Sequence, residues 1–186
     1  EPISCRLVFD LLRTAGADRV MSVDLHAAQT QGFFDGPVDH LIAMPVLVDY
    51  IRDRFDGHLD NVTVVSPDAG RIRVAEQWAQ RLGGGPLAFV HKTRDITRPN
   101  QAKANRVVGD VKGKDCVLVD DLIDTAGTIA GACQVLREAG ARSVTVVATH
   151  GVLSGPAVDR LKSCGAREVV LTDTVPIPEE KRWDGL

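Results

Sequence analysis

The sequence has no excess of positive charge, no zinc-ligand spacing among its cysteines and no apolar run of membrane length. Lysine and arginine number 22 against 25 aspartates and glutamates, giving a net charge of -3 with a pI near 5.9. A general nucleic-acid binder carries a basic face that neutralises many phosphates, so that class is excluded and any phosphate site must be local. Cys5, Cys116, Cys133 and Cys164 form no C-x-x-C pair, which points to reduced, buried thiols rather than a structural metal. No stretch approaches the ~18 apolar residues of a membrane helix, and no charged-then-apolar leader stands at the start. A cytoplasmic protein with neither membrane nor nucleic acid as partner is the expectation. The phosphate loop G-x-x-x-x-G-K-[ST] is also missing, which rules out a P-loop kinase. The chain opens on Glu1-Pro2-Ile3 rather than Met and enters helical periodicity at once, so a piece of something longer is expected.

What is present is ordinary globular material: 186 residues, 44% hydrophobic and 25% charged, enough for one large domain or two small ones. Ile3, Leu7, Val8, Leu11 and Leu12 share one helical face, with Pro2 suited to the first turn and Gly16 to the stop. Short β-branched runs at 20–23, 62–65, 87–90, 117–119, 144–148 and 169–171 read as strands. Helical patterns at 45–55, 71–82, 128–138 and 155–162 follow most of them. This alternation predicts an α/β fold with a mostly parallel sheet and helices on its faces.

Each strand is followed by polar groups: Asp24 and His26, Ser66 and Asp68, His91, Lys92 and Arg94, Asp120 and Asp121, Thr149 and His150. One such residue is an ordinary turn former or helix cap. Five strand ends supplying acids, bases and cations are a different matter, because ligands of open parallel sheets bind outside the carboxyl ends of the strands.

The richest stretch is VLVDDLIDTAGTI, residues 117–129. Small residues let backbone N–H groups point into a turn, Thr125 and Thr128 add hydroxyls, and the following helix adds the positive end of its dipole. Such a turn is a cradle for a phosphate. Carboxylates accept hydrogen bonds from vicinal hydroxyls, so Asp120 and Asp121 suit a ribose whose 5-phosphate lies in the turn. The stretch resembles the phosphoribosyl-pyrophosphate (PRPP) motif shared by type I phosphoribosyltransferases and ribose-phosphate pyrophosphokinases. VDLHAAQTQGFFDGPVDHL at 23–41, SPDAG at 66–70, HKTR at 91–94 and THGVLSGPA at 149–157 are similar to the pyrophosphokinases in the same order. The resemblance spans essentially the whole chain.

The resemblance implies the following. Asp120 and Asp121 hold the ribose hydroxyls, and Asp124, Thr125, Ala126, Gly127 and Thr128 the 5-phosphate. Lys92 and Arg94 are catalytic cations on a lid over residues 92–105. His26 is a magnesium-nucleotide contact, with Asp24, Asp35 and Asp39 as further candidate ligands, and Asp68 touches a metal on the ribose-phosphate side. Mg2+ is the expected cofactor, ribose 5-phosphate and ATP the substrates, PRPP and AMP the products, and a homohexamer the assembly. The fold implied is a three-layer α/β/α phosphoribosyltransferase-like domain at 45–175. Residues 1–44 would end a preceding similar domain, and residues 176–186 would be a truncated tail returning toward it. Two alternatives stand beside this reading: a non-catalytic subunit associated with such an enzyme, and a type I phosphoribosyltransferase. The family commonly places a second Gly and a Lys-Arg pair after SPDAG, where this chain has Arg71-Ile72-Arg73, so Arg71 and Arg73 are left without a role. Many members also carry Arg at the position of Thr93.

Overall fold

The computed structural model describes residues 2–93 and 104–186. The chain divides into two compact units, Glu1–Pro45 and Val46–Leu186. In the first, helix α1 (Pro2–Thr14) precedes strand β1 (Val20–Val23), a 3-10 turn (Ala28–Phe33) and strand β2 (Val38–Leu41). The two strands pair in parallel, Val20 opposite Val38 through Val23 opposite Leu41. Phe9 of α1 meets Phe34 with ring centroids 5.8 Å apart and planes at 59°, a tilted arrangement that matches the ring quadrupoles.

Helix α2 (Met44–Arg54) opens at the boundary, and the second unit then alternates strand and helix. Its elements are β3 (Val62–Ser66), α3 (Ile72–Arg81), β4 (Leu87–Thr93), β5 (Ala104–Val108), β6 (Asp115–Ile123), α4 (Gly127–Glu138), β7 (Ser143–Gly151), α5 (Ala157–Ser163) and β8 (Glu168–Leu171). The sheet order is β5-β4-β3-β6-β7-β8, parallel throughout except for β5, which runs antiparallel to β4. The path moves outward from β3 to β4 and β5, then returns to the other side of β3 with β6. That reversal is the kind of topological switch at which α/β sheets open a crevice.

Burial follows the pleat. Cys116, Leu118, Val146 and Val169 join Ile129, Cys133 and Leu136 of α4 and Leu161 of α5 in one core cluster. The alternating residues Val117, Val119 and Val147 are buried as well, so both faces of the central strands are covered, as a parallel sheet requires. Tyr50 and Arg54 tie α2 to β8 through Glu168, with Tyr50 Oη donating to one carboxylate oxygen at 2.6 Å and Arg54 Nε to the other at 3.0 Å.

Several elements differ from the sequence expectation. β2 was not foreseen, because VDHL offers only two apolar positions. The segment 92–105, expected as a lid loop, is strand at both ends: Lys92 pairs with Asn105 and Thr93 with Ala104. Residues 94–103 lie outside the described residues. Gly109 ends β5 at φ +114°, and a Cβ there would stand 2.7 Å from Leu87 O and from Ala88 Cβ. Residues 176–186 group with the second unit. Ile177, Trp183 and Leu186 pack on that unit's core, Val169 N donates to Gly185 O at 2.8 Å, and Lys181 Nζ donates to Leu153 O at 2.9 Å.

Candidate active site

β6 is longer than its apolar run. It continues through Asp120 and Asp121 to Ile123 because Asp120 lies opposite Ala148, Leu122 opposite His150 and Ile123 opposite Gly151 on β7. The two acids therefore sit on rigid strand rather than on loop. Asp121 N donates to Asp120 Oδ1 at 2.9 Å. From the turn after β3, Arg71 donates through Nη2 to Asp121 Oδ2 and brings Nε within 3.9 Å of Asp120 Oδ1. Burial, reinforced by the neighbouring Asp121, pushes the Asp120 carboxyl up to about 7, while the Arg71 charge acts in the opposite direction.

The chain then turns. Ala126 adopts the left-handed conformation at φ +58° and ψ +10°, with α4 starting at Gly127. A non-glycine residue there is uncommon, and this one is held from outside. Ser154 N donates to Asp124 O at 2.9 Å, and Val152 N and Leu153 N both donate to Ile123 O at 3.0 and 3.1 Å. Arg160 Nη1 of α5 donates to Thr125 O at 2.9 Å. Ala126 uses no side chain to cap α4, and a helix leaves its first N–H groups without intrahelical partners. Asp124, Thr125, Ala126, Gly127 and Thr128 thus form one small turn at a helix start, the arrangement that suits a phosphate.

Asp68 caps a 3-10 turn (Ala69–Arg71): its Oδ1 accepts from Gly70 N at 2.8 Å, and Ser66 Oγ donates to the Asp68 carbonyl at 2.6 Å. Lys92 lies on β4, but its side chain and all of Arg94 lie outside the described residues.

The remaining proposed ligands belong to the first unit. Asp24 sits at φ +43° and accepts from Ala43 N at 3.2 Å. His26 is exposed in the stretch after β1. Asp35 pairs with Arg6 at 3.1 Å, and Asp39 is gripped by Arg19 at 2.5 and 2.9 Å. The Arg19 hydrogen bonds hold the Asp39 carboxyl below its ordinary value. Among the described residues no three His, Cys, Asp or Glu side chains are placed to hold a metal together.

Sequence reading gave Arg71 no role and did not single out Arg160. Both act across strands or helices distant in sequence, Arg71 on Asp121 fifty residues away and Arg160 on Thr125 thirty-five away. The signal within reach was Arg71's place three residues beyond Asp68 at a strand's carboxyl end.

Comparison with known proteins agrees with this geometry. A family model described as "Phosphoribosyl synthetase-associated domain" matches residues 90–183. The ribose-phosphate pyrophosphokinase of Bifidobacterium longum is 92% identical over the whole chain, which covers 55% of that protein. The crystal structure of phosphoribosylpyrophosphate synthetase from Mycobacterium smegmatis is 61% identical, with a TM-score of 0.91 over all of this chain and 59% of its own. The chain thus spans somewhat more than half the length of the relatives it matches. Adenine phosphoribosyltransferase from Giardia lamblia shares the fold alone, at 12% identity and a TM-score of 0.51 over 69% of this chain and 77% of its own. With acids, turn and helix arranged as its motifs anticipate and more than half of its length matched by the model, the chain belongs to the phosphoribosyl synthetase-associated domain family.

Proposed function

We propose that this chain is the ribose 5-phosphate-binding part of a ribose-phosphate pyrophosphokinase, which transfers the diphosphoryl group of ATP to the 1-hydroxyl of ribose 5-phosphate and gives PRPP and AMP. The observation that carries the reading is the continuity of strand and turn: Asp120 and Asp121 on β6 run directly into the left-handed corner at Ala126 and the start of α4. A phosphate anchored by the turn puts its sugar within reach of the two acids. Asp120 and Asp121 accept from the ring hydroxyls, and Thr125, Thr128 and the backbone of Ala126 and Gly127 donate to the phosphate.

Mg2+ bound on the substrate phosphates would screen their charge, with Asp68 as a candidate contact on the ribose-phosphate side and Asp24, His26, Asp35 and Asp39 as candidates on the nucleotide side. The first-unit carboxylates that already pair with Arg6 and Arg19 would have to exchange partners to serve there. Lys92 and Arg94 act as cations that stabilise charge on the transferring group. Identities of 92% and 66% to proteins named as pyrophosphokinases favour this reading, and ATP as co-substrate, homohexameric assembly and a cytoplasmic location belong to it. The two alternatives predict different chemistry: a non-catalytic associated subunit forms no PRPP, and a phosphoribosyltransferase releases pyrophosphate rather than AMP.

The test is calorimetric titration of ribose 5-phosphate into the chain with Mg2+, beside Thr125→Val and Asp120→Asn variants verified as folded. Saturable binding, weakened at least about 10-fold in each variant, is expected from the loss of a hydrogen bond to a charged group. Undiminished binding in both variants would refute the assignment.

A further inference from the structure

Arg71 was left without a role in the sequence reading, yet among the described residues it is a cation paired with both acids. It ends the 3-10 turn after β3, and β3 lies beside β6 in the sheet. Its side chain is 17% exposed, against 15% for Asp120 and 12% for Asp121. A guanidinium is planar and rigid, so a carboxylate bonded to it is fixed in direction as well as in charge. An ammonium in the same place would fix only the charge.

A sugar diol makes a demand that this arrangement meets. Its two hydroxyls are neutral donors, and they gain from carboxylate lone pairs only where those lone pairs are already aimed at them. An unrestrained aspartate turns among staggered rotamers, and ordering it on binding costs side-chain entropy.

We propose that Arg71 is a positioning residue for sugar recognition, holding Asp121 in the orientation that accepts from the vicinal hydroxyls, so that discrimination for a complete diol passes through it. The proposal rests on the assignment of Asp120 and Asp121 to the ribose. Arg71 stays in place when the sugar binds, because a neutral diol supplies no charge to replace it beside two adjacent, partly buried acids. Its hydrogen bond goes to Asp121, with Asp120 Oδ1 3.9 Å from its Nε, while the phosphate turn is braced separately by Arg160 and the loop after β7.

The experiment compares ribose 5-phosphate with 2-deoxyribose 5-phosphate, which keeps the phosphate and loses one hydroxyl. Calorimetric affinities are measured for the chain, for Arg71→Met, which keeps length without charge, and for Arg71→Lys, which keeps charge without the fork. Arg71→Met is expected to lose about 10-fold of the preference for ribose, the worth of one charge-assisted hydrogen bond. Its affinity for the deoxy sugar should change by less than about 2-fold, since the shared phosphate sets most of it. Arg71→Lys should fall between the two. An unchanged preference in Arg71→Met, or an equal loss for both sugars, would overturn the proposal; the second result would mean a merely structural role.

A second measurement needs no ligand. Three-bond couplings from the backbone to the Asp121 carboxyl carbon should report one rotamer in the chain and averaging in Arg71→Met. A fixed rotamer in Arg71→Met would overturn the proposal however the sugars bind. Averaging there, together with no sugar binding by the unsubstituted chain, would overturn the ribose assignment while upholding Arg71's hold on Asp121.

Discussion

Replacing Asp120 by Asn removes a titration that the folded chain carries at a cost. The unfolded carboxyl loses its proton near pH 3.9, whereas burial beside Asp121 pushes the folded one up to about 7. Between those values the folded state holds a proton that the unfolded state has released, so unfolding free energy falls as pH rises, by about 1.4 kcal/mol per pH unit. Three units of separation put the full effect at up to about 4 kcal/mol, complete once the pH passes the folded value. Asn keeps the oxygen that accepts from Asp121 N and keeps the volume, so the substitution isolates the charge. Urea unfolding of both chains from pH 4.5 to pH 8.5 gives the comparison, with slopes m checked for equality. The variant's advantage should be about 1 kcal/mol at the acid end and should grow through pH 5 and 6 to a plateau of about 2 to 4 kcal/mol above pH 7. A stability difference that stays constant across that range would refute the reasoning, because an unperturbed Asp120 would already be charged in both states at pH 5.

Other sites give predictions of different sign. Arg142 grips the buried Asp115 with two hydrogen bonds and Ser143 adds a third at 2.6 Å, which together hold the Asp115 carboxyl below its ordinary value. That stabilisation is present above the unfolded carboxyl value and is lost as pH falls through the folded one. Arg142→Ala should therefore lower the urea midpoint at pH 7, with the gap to the parent chain narrowing below pH 4. Gly109→Ala forces a Cβ to within 2.7 Å of Leu87 O at φ +114°. A loss of at least about 2 kcal/mol is expected, with faster amide exchange in β4 and β5, and a thermal midpoint equal to the parent's would contradict it.

How much was legible in the sequence depended on whether a signal was local. The cradle at 120–128 was readable because strand, acids, small residues and helix start follow one another without interruption, and the structure keeps them in that order. The six expected strands all form, since each is a β-branched run bounded by turn residues. β5 was hidden because ANRVV is partly polar, as an edge strand allows: Val107 packs on the core while Val108 is 47% exposed. The C-terminal residues were placed by analogy, and their docking depends on Trp183 and Leu186 finding the second unit's core, a pairing no periodicity announces. Arg71 was left without a role for the same reason, since its partners become neighbours only when β3 and β6 pair.

The adjacency of β3 and β6 also bears on how this unit folds. Val62 to Val65 pair with Asp115 to Leu118, so joining these strands closes a loop of about fifty residues, a slow and entropically costly step compared with forming a hairpin. Arg71 reaches Asp121 only across that seam. The phosphate turn likewise draws on Val152, Leu153, Ser154 and Arg160, so turn and acid pair are complete only once the chain through α5 has folded. On the proposed function, affinity for the intact sugar phosphate is then a signature of completed folding. A ligand present at 100 times its dissociation constant adds about 2.7 kcal/mol to the finished state alone, so substrate supply would also act on how long the protein lasts.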